Sequence, residues 1–337
     1  MTRPITGRVA PALRRPIGAS APGQATVGEP GAARIAVDLL GGDHAPAVVV
    51  DGALRACQAD PALHLLLVGP QEAAGEVLRA LPPSEHARIN TLPIAPGDPV
   101  DSWVESGVRS AVLAVAQGAA DAVMSAGNTG ATVTSAALGL GRCPGVRRPP
   151  LAAVLPTRSG RLVLLDVGSS VDPDEETVAT HARLGSAYAR VVHGVEEPRI
   201  GLLTIGAERG KGDRLRRALP TLLAGLDLPG GGRYVGLVEG NDVVTGSIAD
   251  VVVTDGFTGN VLLKGLETAY AEVGSPHPLV PPRAALLLGV DGTVVVCHGA
   301  ASGSDLAAGI AFAAQLHRQA AVAAMAEMIE TQRGVYE

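Results

Sequence analysis

The 337-residue chain has few aromatic residues: one Trp, four Tyr and two Phe. That scarcity argues against an all-β sandwich, whose strands draw on aromatic side chains, and against a stacking platform for single-stranded nucleic acid. Cysteine is also rare. Cys57, Cys143 and Cys297 are odd in number and far apart, so neither a disulfide framework nor a CxxC metal knuckle is expected. No run of apolar residues approaches the ~18 that a membrane span needs. The formal charge of −6 gives no general attraction to nucleic acid, and none is expected as a partner. Lysine is nearly missing: Lys211 and Lys264 stand alone among 27 basic side chains. No grouping of His, Cys and carboxylates has metal-ligand spacing, so neither metal nor cofactor is expected.

What the chain does have is a 47% apolar fraction, enough for a large core. The first stretch stands apart. Residues 1–33 carry Arg3, Arg8, Arg14, Arg15 and five prolines with no hydrophobic period and no signal-peptide core. They read as a disordered leader or a start codon placed early, with a basic contact arm as the alternative. Residues 34–337 read as one domain, since no linker or composition shift divides them.

From Arg34 onward short β-branched runs alternate with Ala-rich helical stretches. The pattern predicts strands at 34–39, 63–69, 121–125, 151–155, 162–166, 199–205, 234–239, 250–254 and 293–298. It predicts helices at 46–58, 103–117, 129–139, 173–192, 211–226, 258–273 and 305–330. Runs such as LLLVG, LVLLD and DVVVTD are apolar on both faces, as buried parallel strands are. Asp172 is expected to cap a helix opening at Pro173, with Glu175 completing a capping box. Alternating β and α elements imply an open, doubly wound α/β sheet.

In such sheets ligands bind beyond the carboxyl ends of strands. Seven predicted strand ends carry Gly beside polar groups, and all are expected on one rim. They include Asp38 with Gly42 and Asp43; Ser125 with Gly127, Asn128, Thr129 and Gly130; Asp166; Glu239 with Asn241; Asp255 with Gly256; and His298. Ordinary turn chemistry is the plain alternative for each. The SAGNTGA turn has the further rationale that its glycines and the following helix N-terminus turn N–H groups toward an anion. It is neither a Walker A loop nor GxGxxG. Lys211 or Lys264 can pair with phosphate, against solvated positions as the bland reading. Lys264 falls one helical turn after Asn260, so the two share a face. Cys297 and His298 cannot act together, because adjacent strand residues point to opposite sheet faces. His298 is the functional candidate of the two, with a structural histidine as its alternative.

The segments IAVDLLGGDHAP, MSAGNTGA, LLDVGSSVD, IGLLTIGAERGKGD, GLVEGNDV, ADVVVTDGFTGNVLLKGLE and LLGVDGTVVVCHGAASGSD stand in this order from about Arg34 to the last helix. Taken together the chain resembles the PlsX-type phosphate acyltransferases. The resemblance implies a Rossmann-like three-layer α/β/α sandwich with a mostly parallel sheet, similar to isopropylmalate dehydrogenases, in a cytoplasmic homodimer. It implies transfer of a fatty acyl group from acyl carrier protein to inorganic phosphate. The acyl phosphate would pass to a membrane glycerol-3-phosphate acyltransferase for phospholipid synthesis. Phosphate would be held around Gly127–Gly130 by Asn128 and a lysine, with Asn260, Lys211, Lys264 and His298 as catalytic candidates.

Two departures stand out. The stretch ETAYAEVGSPHPLVPPRAALL shortens the family's long helical arm, which contacts the membrane surface and the dimer partner. Ser170 and Thr204 stand where the family carries Asn, each removing an amide donor. A catalytically weakened paralogue binding carrier protein or acyl phosphate is therefore one alternative. A phosphate acyltransferase using short acyl-coenzyme A is another.

Overall fold

The computed structural model describes residues 31–94, 100–208, 211–278, 281 and 283–333; all but the last three residues of the expected leader lie outside them. The first half runs β1 (Ala33–Asp38), α1 (Ala47–Ala59), β2 (Leu63–Gly69), α2 (Gln71–Ala80), β3 (Ile89–Pro93), α3 (Val100–Ala116), β4 (Ala122–Ser125) and α4 (Thr129–Gly139). A hairpin follows, β5 (Leu151–Thr157) and β6 (Gly160–Leu165), then α5 (Glu175–His193), β7 (Arg199–Leu203) and α6 (Arg214–Ala224). The last part is β8 (Arg233–Val238), α7 (Gly240–Thr245), β9 (Val251–Val253), α8 (Gly256–Val273), β10 (Ala284–Leu287), β11 (Thr293–Cys297), α9 (Gly303–Arg318) and α10 (Ala321–Arg333).

The eleven strands of the described residues join one sheet in the order β3-β2-β1-β4-β11-β10-β5-β6-β9-β7-β8. Strand residues alternate between two cores. Ile35, Val37, Met124 and Cys297 pack with α1, α2, α5, α6, α9 and α10. Ala36, Val123, Val252 and Val296 face α3, α4, α7 and α8. The result is the expected three-layer α/β/α architecture, most of whose strand pairs are parallel.

The single rim expected for the polar loops does not form. β10 is antiparallel to both neighbours, and the β5–β6 hairpin reverses direction once more. Strands β1, β4 and β11 therefore end at one edge of the sheet, and β6, β7, β8 and β9 end at the opposite edge.

Three local expectations also change. The cap of α5 is Asp174, whose carboxylate accepts from the Thr177 N–H at 2.9 Å, so Asp172 and Pro173 lie ahead of the helix. The final helical stretch is two helices, broken where Ala320 turns to φ 49°; continuous Ala-rich sequence conceals such a break. Strands β3 and β10 and helices α2 and α7 have no counterpart in the sequence reading. β3 is mostly exposed, β10 is four residues long, and α7 is six, too short to show a hydrophobic period.

Candidate active site

Asp38 ends β1 almost sealed from solvent, at 1% exposure. One carboxylate oxygen accepts from Ser125 Oγ at 2.7 Å and the other from the Leu40 N–H at 3.0 Å. Ser125 Oγ in turn accepts from the Gly127 N–H at 3.0 Å. Burial raises the Asp38 pKa to about 6 against the pull of these bonds. Gly107 of α3 lies so close that a Cβ there would fall 2.1 Å from Asp38 Oδ1. Asp38 is thus closed to a ligand and instead shapes the turn after β4. In that turn Asn128 caps α4, its Oδ1 accepting from the Ala131 N–H at 3.0 Å. Its Nδ2 has no partner among the described residues, and Thr129 and Gly130 open the helix.

At the end of β11 the alternation of the strand separates two neighbours. Cys297 turns into the α9 layer, where burial pushes its thiol up to about 12. His298 emerges on the α8 side with Nε2 at 2.8 Å from Glu267 Oε2. Gly42 and Asp43 abut this end through the Asp43 N–H, which donates to the Gly299 carbonyl at 2.8 Å.

Helix α8 starts at the opposite edge and packs back over β5 and β6. Gly259 permits this seating, since a Cβ there would meet the Asp166 carbonyl at 2.0 Å. Asn260 then donates from Nδ2 to the Val167 carbonyl at 2.9 Å. Lys264 and Glu267 follow Asn260 at helical spacing and extend the same stripe. Gly127, Thr129, Asn260, Lys264, Glu267 and His298 together line a cavity of about 140 Å³, floored by Leu151, Ala153, Ala285 and Val296. The structure thus brings together five residues singled out from sequence: Gly127, Thr129, Asn260, Lys264 and His298. Glu267 was missed; its position three residues after Lys264 on a predicted helix was the available signal.

The other polar loops lie elsewhere. Lys211 pairs with Glu208 at 2.9 Å rather than reaching the cavity. Glu239 caps α7 in a capping box with Asp242 and accepts from the Ala207 N–H at 3.1 Å. Among the described residues the Asn241 amide donates only to Asp242 Oδ1, at 3.5 Å. Asp255 caps α8 through the Thr258 N–H at 2.8 Å and pairs with the buried Arg216 at 2.6 Å. Burial acts to raise Asp255, but the bonds from Thr258 and Arg216 prevail and hold it below the usual carboxylate range. Asp166 is fully buried and accepts from the N–H groups of Leu151, Gly168, Ser169 and Ser170. Burial pushes its pKa up, opposed by the nearby His181 and those donors. The Gly256 N–H donates to the Ser170 carbonyl at 2.7 Å, tying α8 to this loop. Arg216 belonged to no motif, and only its spacing from Asp213 hinted at it.

Solved structures share this architecture. A EutD phosphotransacetylase from Staphylococcus aureus superposes with a TM-score of 0.58 at 14% identity, covering 85% of this chain and 94% of that one. A 4-hydroxythreonine-4-phosphate dehydrogenase from Klebsiella pneumoniae gives 0.54 at 16% identity, covering 87% and 100%. At such identity the likeness defines the fold alone: an open, mostly parallel α/β sheet flanked by helices. Sequence comparison goes further. A family model described as "Fatty acid synthesis protein" matches residues 33–275. A phosphate acyltransferase of Thermobifida fusca is 41% identical over 309 residues, 81% of this chain and 84% of that protein. One of Desulforamulus reducens is 35% identical over 340 residues, 90% and 99%. The chain belongs to the phosphate acyltransferase family and is an acyltransferase.

Proposed function

We propose that the chain transfers a fatty acyl group from the thioester of an acyl carrier protein to inorganic phosphate, releasing an acyl phosphate. One observation carries the reading. The N-terminal turn of α4, Lys264 and His298 meet around one small cavity although they come from three distant parts of the chain. The N–H groups opening α4, the Asn128 amide and the Lys264 ammonium form a donor set suited to an oxyanion. Phosphate is its own nucleophile, so no Ser or Cys nucleophile is needed. Its oxygen attacks the thioester carbon, the C–S bond breaks, and the electron pair leaves on sulfur. The proton on hydrogen phosphate must end on that sulfur, and His298 stands where it can carry it. Lys264 faces the oxyanion that develops on the carbonyl.

We assign this activity to residues 34–337 as one catalytic domain without the leader, acting as a cytoplasmic homodimer. The acyl phosphate would be consumed by a membrane glycerol-3-phosphate acyltransferase in phospholipid synthesis. Incubating the protein with phosphate and either palmitoyl carrier protein or short acyl-coenzyme A, and measuring free thiol, tests the donor. Release only from the carrier protein supports the reading; release only from coenzyme A replaces the donor. Release from neither favours a weakened paralogue that binds without turnover. The observation on that side is Ser170, whose hydroxyl is buried without a partner among the described residues, in the loop beneath α8.

A further inference from the structure

A carboxylate in a cavity meant for a dianion needs a reason. Glu267 lines the same space as Gly127 and Lys264, and its side chain is 19% exposed. Among the described residues it makes no ion pair with Lys264, one turn earlier. Its neighbour is His298 Nε2 at 2.8 Å, on an imidazole that is 30% exposed. Without a counterpart its charge would repel phosphate at close range.

We infer that Glu267 is a positioning residue for His298, holding the proton on Nε2 so that Nδ1 serves as the proton carrier of the transfer. A carboxylate accepts hydrogen bonds and donates none, so beside it the neutral ring places its N–H on Nε2 and its lone pair on Nδ1. As the phosphate oxygen bonds to the thioester carbon, Nδ1 takes the phosphate proton, and Glu267 balances the imidazolium. Nδ1 then delivers that proton to the departing sulfur, and the ring returns to its starting form. This assignment rests on the proposed acyl transfer to phosphate, but the placement of the proton does not.

Two measurements on the full-length protein separate these layers. In ¹⁵N-histidine-labelled protein, His298 is the ring whose signals vanish in His298→Gln. In spectra taken at a pH where the ring is neutral, the expected result is the proton on Nε2 in the parent and a mixture of both tautomers in Glu267→Ala, with unchanged thermal unfolding. Identical ring signals in the two proteins overturn the inference. In the thiol-release assay Glu267→Gln is expected to lower kcat about 100-fold at unchanged KM for phosphate, the scale of one acid–base group. Glu267→Asp is expected to recover part of the loss. An unchanged kcat with a lower phosphate KM means that Glu267 merely repels the anion, and overturns the inference. Failure of the parent protein to release thiol from any donor defeats the function proposed above, and the ring signals still decide the role of Glu267.

Discussion

The start and the middle of α8 both gather polar side chains and differ in their use. Near its start, Arg216 directs four N–H donors to the Leu203 carbonyl, Asp213, Thr254 and Asp255, and Asp255 is occupied by Thr258 as well. Near its middle, the Lys264 ammonium has no partner among the described residues and stands at the cavity beside His298, and the Asn128 amide nitrogen, between the cavity-lining Gly127 and Thr129, has none either. A polar group satisfied by its own protein holds the fold. One left open toward a cavity is available to a substrate. Motifs rich in Gly, Asp and Asn do not distinguish these cases, because the same residues make turns and hold anions.

The contrast can be broken first at the closed end. Arg216→Met leaves Asp255 buried and unpaired, with side-chain exposures of 8% and 11% in the parent pair. Loss of about 3–5 kcal/mol in urea unfolding is expected, with KM for phosphate unchanged in the molecules that stay folded. A stability within 1 kcal/mol of the parent would mean that the pair is dispensable.

Asp38 tests the frame behind the anion turn. Its folded pKa of about 6 lies above that of an exposed carboxylate. Its contribution to stability is therefore complete below about pH 4 and is lost as the pH rises through 6. Asp38→Asn should match the parent in unfolding free energy near pH 4, then exceed it by up to ~3 kcal/mol above pH 6. A difference that does not change with pH would show that the carboxyl titrates normally.

At the open end the effect should appear in rate and not in stability. Lys264→Ala is expected to lower kcat/KM about 10–100-fold, the worth of a charge-assisted bond to an anion, while the unfolding midpoint stays put because the side chain is exposed. Unchanged turnover would remove Lys264 from the site. The smallest effect should come from Ser170→Ala. Its hydroxyl is buried without a partner among the described residues, so the change is expected to alter stability by less than about 1 kcal/mol, in the stabilising direction. A large loss of activity would mean that Ser170 takes over the anion contact of the family's Asn.

Much of the architecture was legible residue by residue. Leu63–Gly69 and Thr129–Gly139 form the elements expected of them. Both are long enough, and bounded sharply enough by Gly or by an Asn cap, for period and punctuation to agree. The stripe from Asn260 to Lys264 followed from helical spacing alone, and the divergence of Cys297 from His298 from the pleat of a strand. Strand direction was not legible. The short AALL segment of β10 carries no mark that it runs against its neighbours, and the β5–β6 hairpin beyond it turns the remaining strands the other way. Lys211, Glu239 and Asn241 belong to that other half, and so part from the residues they resemble.

The sequence by itself determined the layered α/β class, the stripe from Asn260 to Lys264 and the divergence of Cys297 from His298, because these depend on neighbours a few residues away. Only the tertiary structure decided which polar groups meet. The approach of α8 to β11 that sets Glu267 beside His298 depends on the packing of segments some thirty residues apart, and on a reversal of direction that no local pattern encodes.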